Sequence, residues 1–136
     1  MMGIKRICLI DDDSIAALLV SGLIKRLTLN QEPLQFWAYT QGQEALDGLN
    51  ELPESEFPDL ILLDLGMPVM DGHAFLKEYA SHLANLHPQT QVVVLTSSLL
   101  KKDQTACQAY PFLKGFLIKP LLLTQLKELL ALDRVA

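Results

Sequence analysis

Four short groups of polar residues could do chemistry together if the fold brings them to one place. They are Asp11-Asp12-Asp13, the carboxylate Asp64, the hydroxyl run Thr96-Ser97-Ser98, and Lys119-Pro120. Two carboxylates about 4 Å apart repel each other by about 4 kcal/mol at an effective dielectric of about 20. A cation or raised pKa values must offset that repulsion, and oxygen ligands of this kind suit Mg2+.

Such a set of groups could accept a phosphoryl group. One aspartate would be the nucleophile, the cation would bridge acid and phosphate, and Lys119 and Thr96 would take the remaining oxygens. The pattern predicts that Lys119 adds its charge on the side away from the cation. Each group also has a plain structural explanation, since acidic runs often cap helices and hydroxyl runs often form turns. The four groups occur in the order that one shared site would need, at the ends of the right strands. It is therefore the less favoured interpretation that all four have only structural roles.

The elements that must position these groups can be read from hydrophobic patterning. The predicted strands are Ile4–Ile10, Leu34–Tyr39, Leu60–Leu63, Gln91–Leu95 and Phe116–Ile118. The predicted helices are Ser14–Leu29, a segment ending near Leu52 after a capping box at Thr40-Gln41-Gly42-Gln43, His73–Leu86 capped by Asp71, Leu100–Ala109 and Leu121–Leu132.

Strands that alternate with helices predict a doubly wound α/β fold, with a parallel sheet covered by helices on both faces. Ligands of such folds bind at the carboxyl ends of the strands. The four polar groups follow predicted strands one, three, four and five, so they are expected to meet there.

Composition limits the function classes. The 136 residues fit one domain, expected to span 1–136, and half of them are hydrophobic. The net charge of -5 and the scattered basic clusters argue against nucleic-acid binding. No signal peptide or membrane-spanning stretch is recognisable, and the two isolated cysteines suggest a reducing compartment, with Cys8 in the core. A cytoplasmic protein without membrane contacts is expected.

The motifs also match a known family. Ile10–Asp13, Pro58–Gly72, Leu95-Thr96-Ser97 and Ile118-Lys119-Pro120 resemble the receiver domains of two-component response regulators. The most specific motif is Asp-x-x-Met-Pro-x-Met-Asp-Gly, which begins at Asp64. The resemblance covers almost the whole chain and implies a flavodoxin-like sheet of order 2-1-3-4-5 with about five helices.

The resemblance implies roles for individual residues. Asp64 would be the phospho-acceptor and a metal ligand. Asp12 would bind Mg2+ directly, Asp11 would help through water, and the backbone carbonyl of Gly66 would complete the protein ligands. These assignments make Mg2+ the expected cofactor.

Further roles concern the response to phosphorylation. Lys119 would contact the phosphate, and Thr96 would move to hydrogen-bond it. Phe116 occupies the position of the family's switch aromatic but lacks a hydroxyl, so switching would depend on its burial. The Lys119–Pro120 bond is expected to be cis, as the family tends to have it.

Some residues depart from the family pattern or leave alternatives open. The third acid, Asp13, is more than the acidic pair requires, and it is interpreted as a helix cap in preference to an extra metal ligand. Gly66 and Ser98 lie at positions that influence phosphate lifetime, which stays unpredicted. His73, His82 and His87 are assigned to the surface or to ordinary packing rather than to a phosphorelay.

The expected function is that of a stand-alone response regulator without an output domain, a signalling domain and not an enzyme. A histidine kinase or phosphotransfer protein would phosphorylate Asp64, and the face of the fourth helix, fifth strand and fifth helix would then bind a downstream protein. The main alternative is a receiver-like interaction module that is never phosphorylated. A dehalogenase-type enzyme would need a second acid at Gly66, and a nucleotide binder would need glycines where Asp11-Asp12-Asp13 stands.

Overall fold

Five parallel strands and five helices alternate along the chain in the computed structural model, which describes residues 3–132. The strands are β1 (Arg6–Ile10), β2 (Gln35–Tyr39), β3 (Leu60–Leu63), β4 (Gln91–Thr96) and β5 (Leu113–Ile118). The helices are α1 (Ser14–Leu27), α2 (Gly42–Glu51), α3 (Gly72–Leu86), α4 (Lys101–Cys107) and α5 (Leu123–Leu132), with a 3-10 turn at Glu54–Glu56. The first two and last four residues of the predicted single domain 1–136 lie outside the described part.

The strand order is β2-β1-β3-β4-β5, and all four strand pairings are parallel. The doubly wound order 2-1-3-4-5 is therefore confirmed. All four residues of β3 are fully buried, as expected for a strand with helices over both faces. None of the helices described within residues 3–132 has the length and apolar character needed to cross a bilayer.

Two hydrophobic cores lie on opposite faces of the sheet. One joins α2, α3 and α4 to side chains such as Ile61 and Val94, and the other joins α1 and α5 to side chains such as Leu62 and Val93. Neighbouring strand residues belong to opposite cores because side chains alternate along a strand. This sandwich places the carboxyl ends of β1, β3, β4 and β5 along one edge.

The apolar residues of helix α1 do not all face the core. Its buried residues are Ala16, Val20 and Ile24, while Ile15, Leu18 and Leu19 are exposed. The helix is apolar around most of its circumference, so periodicity predicts the helix but not which stripe faces the sheet.

Several predicted boundaries differ from the observed ones. The capping box at Thr40–Gln43 is wrong, because the N-cap residue of α2 is Gln41, which makes no side-chain capping hydrogen bond, and the Thr40 amide donates to Glu44 instead of Gln43. α1 ends at Leu27 instead of Leu29, and α5 begins at Leu123 instead of Leu121. β5 begins at Leu113, three residues before the predicted start.

Candidate functional site

The carboxyl edge of the sheet brings together the acidic groups predicted from the sequence. Asp11 directly follows β1 and Asp64 directly follows β3, and both are buried. Asp12 is exposed beside them, and one carboxylate oxygen from each of the three residues lies within 4.8 Å of the others. The spacing is close enough for one cation to contact all three.

The backbone holds these carboxylates in place. The Asp64 amide donates to the Ile10 carbonyl at 2.9 Å, which continues the β1–β3 pairing beyond the strands. The Asp11 amide donates to the Tyr39 carbonyl at 3.0 Å, and the Asp13 amide donates to the Asp11 carboxylate at 2.9 Å. The acidic cluster is therefore fixed to the central strands and not carried on a free loop.

Lys119 lies against the same carboxylates. Its Nζ is 2.6 Å from Oδ2 of Asp11 and 3.7 Å from Oδ2 of Asp64. The ammonium therefore contacts two of the acids that are expected to bind the cation, and its predicted position on the side away from the cation stays a prediction. The Lys119–Pro120 bond that precedes α5 is cis, as the resemblance implies.

The charges in this cluster are not fully balanced. Burial raises the pKa of Asp11, and the nearby Asp64 adds to the rise, while the hydrogen bond from Lys119 opposes it. Burial opposes the charge on Lys119, but the hydrogen bond to Asp11 and the charges of the aspartates raise its pKa. The lysine stays a cation, and its single positive charge contacts two of the three clustered carboxylates, so a divalent cation would relieve the remaining repulsion.

The donor set fits Mg2+. Three carboxylates at one edge supply the oxygen ligands that this cation prefers. Gly66 is exposed beside them, and a Cβ built there would lie 3.8 Å from Oδ2 of Asp64. Asp13 is not part of the three-carboxylate group, because its side chain accepts the Ile15 amide and caps α1, which confirms its interpretation as a cap.

The loop between β3 and α3 is tightly constrained. Asp71 caps α3 by accepting the Ala74 amide, as predicted. A Cβ on Gly72 would lie 2.7 Å from the Asp64 carbonyl oxygen and 2.6 Å from the Leu65 Cα, so only glycine fits without movement of the backbone. Val69, between Asp64 and this cap, has a left-handed φ of 65° and a fully exposed side chain.

Thr96 and Phe116, the predicted switch residues, lie on the two strands at the β4–β5 edge. Thr96 is buried at the end of β4, and its hydroxyl accepts the Ser98 amide at 3.3 Å. Phe116 pairs in register with Val94 and is half-buried against the core that α4 helps to form. Because Phe116 is only half-buried, its exposed fraction can still decrease if its ring changes position.

Sequence patterns missed one set of contacts next to Thr96. Ser98, Asp103 and His73 are hydrogen-bonded in a chain, from the β4–α4 loop through α4 to α3. His73 and Asp103 are 30 positions apart along the chain, and no spacing rule connects them. His82 is exposed, and His87 stacks on Phe57 with ring centroids 3.4 Å apart.

The sheet order and the acidic cluster at its carboxyl edge define a receiver-type doubly wound domain. The chain belongs to the response regulator receiver domain family, whose model matches residues 7–131. Members of this family are signalling domains of two-component systems that bind Mg2+ at an acidic pocket and interact with histidine kinases or phosphotransfer proteins.

Relatives and solved structures agree with this family. Chemotaxis protein CheY-3 of Vibrio cholerae is 30% identical over 133 residues, which cover 96% of this chain and 90% of that protein. A two-component response regulator from Cytophaga hutchinsonii is 30% identical, with a TM-score of 0.81 and coverage of 94% and 95%. The phosphorylated cyanobacterial phytochrome response regulator RcpA is 28% identical, with a TM-score of 0.74 and coverage of 93% and 88%.

Two other curated relatives are much longer than the region they share with this chain. The match spans 14% of a protein-glutamate methylesterase/protein-glutamine glutaminase of Mesorhizobium japonicum. It spans 6% of the peroxide stress-activated histidine kinase mak1 of Schizosaccharomyces pombe.

Proposed function

We propose that this protein is a response regulator in which Asp64 accepts a phosphoryl group from a histidine kinase or a phosphotransfer protein. The observation that carries the proposal is the grouping of Asp11, Asp12 and Asp64 within 4.8 Å, with the Lys119 ammonium against two of them. A purely structural acidic cluster has no need to bury two carboxylates beside one lysine.

The transfer exchanges one bond to phosphorus for another. A carboxylate oxygen of Asp64 forms an O–P bond while the N–P bond of a phosphohistidine breaks, and its electron pair remains on the imidazole nitrogen. Asp64 suits the role of nucleophile because its backbone is fixed by the Ile10 carbonyl and its side chain lies at the carboxyl edge of the sheet, where 9% of it is exposed. Positioning of this kind contributes much of the catalysis in phosphoryl transfer.

The carboxylates of Asp11, Asp12 and Asp64 and the backbone carbonyl of Gly66 would hold Mg2+. When bound, the cation supplies positive charge that offsets the charge of the phosphoryl oxygens. Asp11 has a second role, because its carboxylate accepts a hydrogen bond from the Lys119 ammonium. This contact positions the ammonium 3.7 Å from Oδ2 of Asp64. Lys119 is thereby placed to contact a phosphoryl oxygen on the acceptor.

Thr96 would connect phosphorylation of Asp64 to a change in conformation at β5. Its hydroxyl would turn toward the new phosphoryl oxygen, and the space it leaves would allow Phe116 to become more buried. The change would alter the face formed by α4, β5 and α5. A complete shift from 1:99 to 99:1 requires about 5.5 kcal/mol of differential stabilisation, which a few charge-assisted hydrogen bonds of about 1.5–3 kcal/mol each can supply.

The output would be the binding of another protein on that face. Exposed apolar side chains lie on or next to it, namely Leu99, Leu100, Ile118 and Leu122. Action as a stand-alone regulator is supported by CheY-3, a relative of similar length of which the chain covers 90%. RcpA, which shares the fold and 28% of the aligned residues, was solved as a phosphorylated protein, and this supports the same chemistry here.

The proposal is tested by intact-protein mass after incubation with acetyl phosphate, with and without Mg2+. Wild type is expected to gain one phosphoryl group only when Mg2+ is present, and Asp64→Asn is expected to gain none. Asp71→Asn is the matched control, since asparagine also caps helices and residue 71 lies outside the acidic cluster. No adduct on wild type, with acetyl phosphate or with phosphorylated histidine kinases, would favour an unphosphorylated interaction module.

A further inference from the structure

Three side chains outside the acidic cluster connect α3 to the loop that follows Thr96. His73 Nε2 lies 2.9 Å from Oδ1 of Asp103, and Ser98 Oγ donates to Oδ2 of Asp103 at 2.5 Å. We call these three residues the α3–α4 tether. Both carboxylate oxygens of Asp103 are used, so the residue joins the second position of α3 to the β4–α4 loop.

The tether lies in a partly buried setting. The Asp103 side chain is 19% exposed and the His73 side chain 33% exposed. The hydrogen bonds from Ser98 and then from His73 hold the pKa of Asp103 below its ordinary value, so the residue stays an acceptor for both. Charge-assisted hydrogen bonds are stronger than neutral ones, and partial burial limits their exchange with water.

Ser98 is also hydrogen-bonded to the residues two positions before and two positions after it, Thr96 and Leu100. Its hydroxyl oxygen accepts the Leu100 amide at 3.3 Å, at the N-cap position of α4, where the Leu100 side chain cannot cap the helix. Its own amide donates to the Thr96 hydroxyl at 3.3 Å. The loop and the predicted switch hydroxyl are therefore connected to Asp103 through a single serine.

We propose that His73 and Asp103 are positioning residues that hold Ser98, and through it Thr96, against displacement toward a phosphoryl group on Asp64. A contact that is made in one conformation and lost in another favours the first by its own free energy. By linkage, phosphorylation must weaken the tether by the same factor by which the tether opposes phosphorylation-driven switching. The inference rests on the proposed function for its last step, the movement of Thr96.

The affinity for a phosphoryl analogue tests the restraint. Beryllofluoride with Mg2+ is titrated into each protein, and the amide chemical shifts of Thr96 and Ser98 are followed by NMR. Asp103→Ala and Ser98→Ala are expected to bind the analogue about tenfold more tightly, since one charged hydrogen bond no longer opposes the change. Equal or weaker binding by both variants overturns the inference.

Conservative variants separate positioning from a general loss of structure. Ser98→Thr keeps the hydroxyl and His73→Gln keeps an N–H donor, so both are expected to stay within about twofold of wild type, whereas His73→Ala joins the tighter group. His82→Ala, at an exposed histidine of the same helix, and Ser97→Ala, at an exposed serine of the same loop, are the controls. Equal tightening in the controls and the tether variants also overturns the inference.

A failure of the proposed function can be distinguished from a failure of the tether. If wild type neither binds beryllofluoride nor takes up a phosphoryl group, the proposed function fails, and the tether is judged on the unliganded protein alone. Amide exchange at Ser98 and Leu100 is then expected to be about tenfold faster in Asp103→Ala than in wild type. Unchanged exchange shows that Asp103 does not restrain the loop.

Discussion

Lys119 and Asp11 form an ion pair across the carboxyl edge of the sheet, with Nζ 2.6 Å from Oδ2, although they are 108 positions apart in the sequence. The Asp11 side chain is fully buried, and the Lys119 side chain is 24% exposed. The pair therefore connects the end of β1 to the end of β5 and places a positive charge against a buried carboxylate. It also places two expected site residues in direct contact.

Removal of the lysine charge is expected to destabilise the protein, and Mg2+ is expected to restore part of the loss. Lys119→Met leaves Asp11 without its partner, which predicts a loss of about 1–3 kcal/mol in the free energy of unfolding. A bound cation neutralises the same carboxylates, so Mg2+ should raise the melting temperature of Lys119→Met more than that of wild type.

Lys114→Met, at an exposed lysine within β5, is the matched control for the loss of one lysine charge. Thermal unfolding of the three proteins, each with and without Mg2+, provides the measurement. An equal or smaller Mg2+ effect on Lys119→Met would show that the lysine and the cation act on different groups.

Gly22 in α1 and Gly72 in α3 both lie within helices, and of these two positions only Gly72 has surroundings that require glycine. Gly72→Ala places a Cβ within 2.7 Å of the Asp64 carbonyl oxygen and is expected to destabilise the fold by about 1–3 kcal/mol. Gly22→Ala, on α1, has nothing within 4 Å of its new Cβ and is expected to stabilise the fold by about 0.5–1 kcal/mol. Urea unfolding compares them, and the same sign for both changes would contradict the close approach of α3 to β3.

The left-handed backbone at Val69 predicts a stabilising substitution. A β-branched residue with a φ of 65° is unfavourable, and its exposed side chain gains nothing from burial. Val69→Asn is expected to raise the free energy of unfolding by about 1 kcal/mol, while Val69→Ile should leave it unchanged. An equal effect of both substitutions in urea unfolding would mean that the backbone at this position is not left-handed in solution.

His87 predicts a dependence of stability on pH. Burial against Phe57 lowers the pKa of His87 below its ordinary value, so the unfolded chain binds a proton more readily than the folded protein. This contribution to stability is complete above the unfolded pKa of about 6.5 and is lost as the pH falls through the folded pKa.

The comparison uses urea midpoints at neutral pH and at mildly acidic pH. Wild type and the exposed-site control His82→Gln should lose more stability on acidification than His87→Phe, which keeps a ring to stack on Phe57. A loss in His87→Phe as large as that in wild type would assign the effect to another group.

The positions of the polar residues at the strand ends were predicted more accurately than the first and last residues of the strands and helices. Asp11, Asp64, Thr96 and Lys119 follow or end apolar strands, and parallel topology brings such ends together. Strand β3 was predicted without error because four consecutive buried residues leave no ambiguity. The early start of β5 was missed because Lys114 and Gly115 interrupt its apolar run, although β4 pairs with it there across a register shift.

Contacts that depend on distant side chains could not be predicted. The Lys119–Asp11 pair and the His73–Asp103 contact join residues from different elements, and no periodic pattern records their distance. The buried face of α1 could not be predicted either, because the exposed residues Leu18 and Leu19 are as apolar as the buried residues Val20 and Ile24. Such features depend on how the elements pack, which the pattern of a single chain does not specify.

The most direct test of the account is to locate the phosphoryl group on the chain. The protein is incubated with acetyl phosphate and Mg2+ and then treated with borohydride, which reduces an aspartyl phosphate to the alcohol, and the peptides are sequenced by mass spectrometry. The account predicts that the reduced residue is Asp64. Reduction at Asp11 or Asp12 instead, or no reduced aspartate in protein that carries a phosphoryl group, would contradict it.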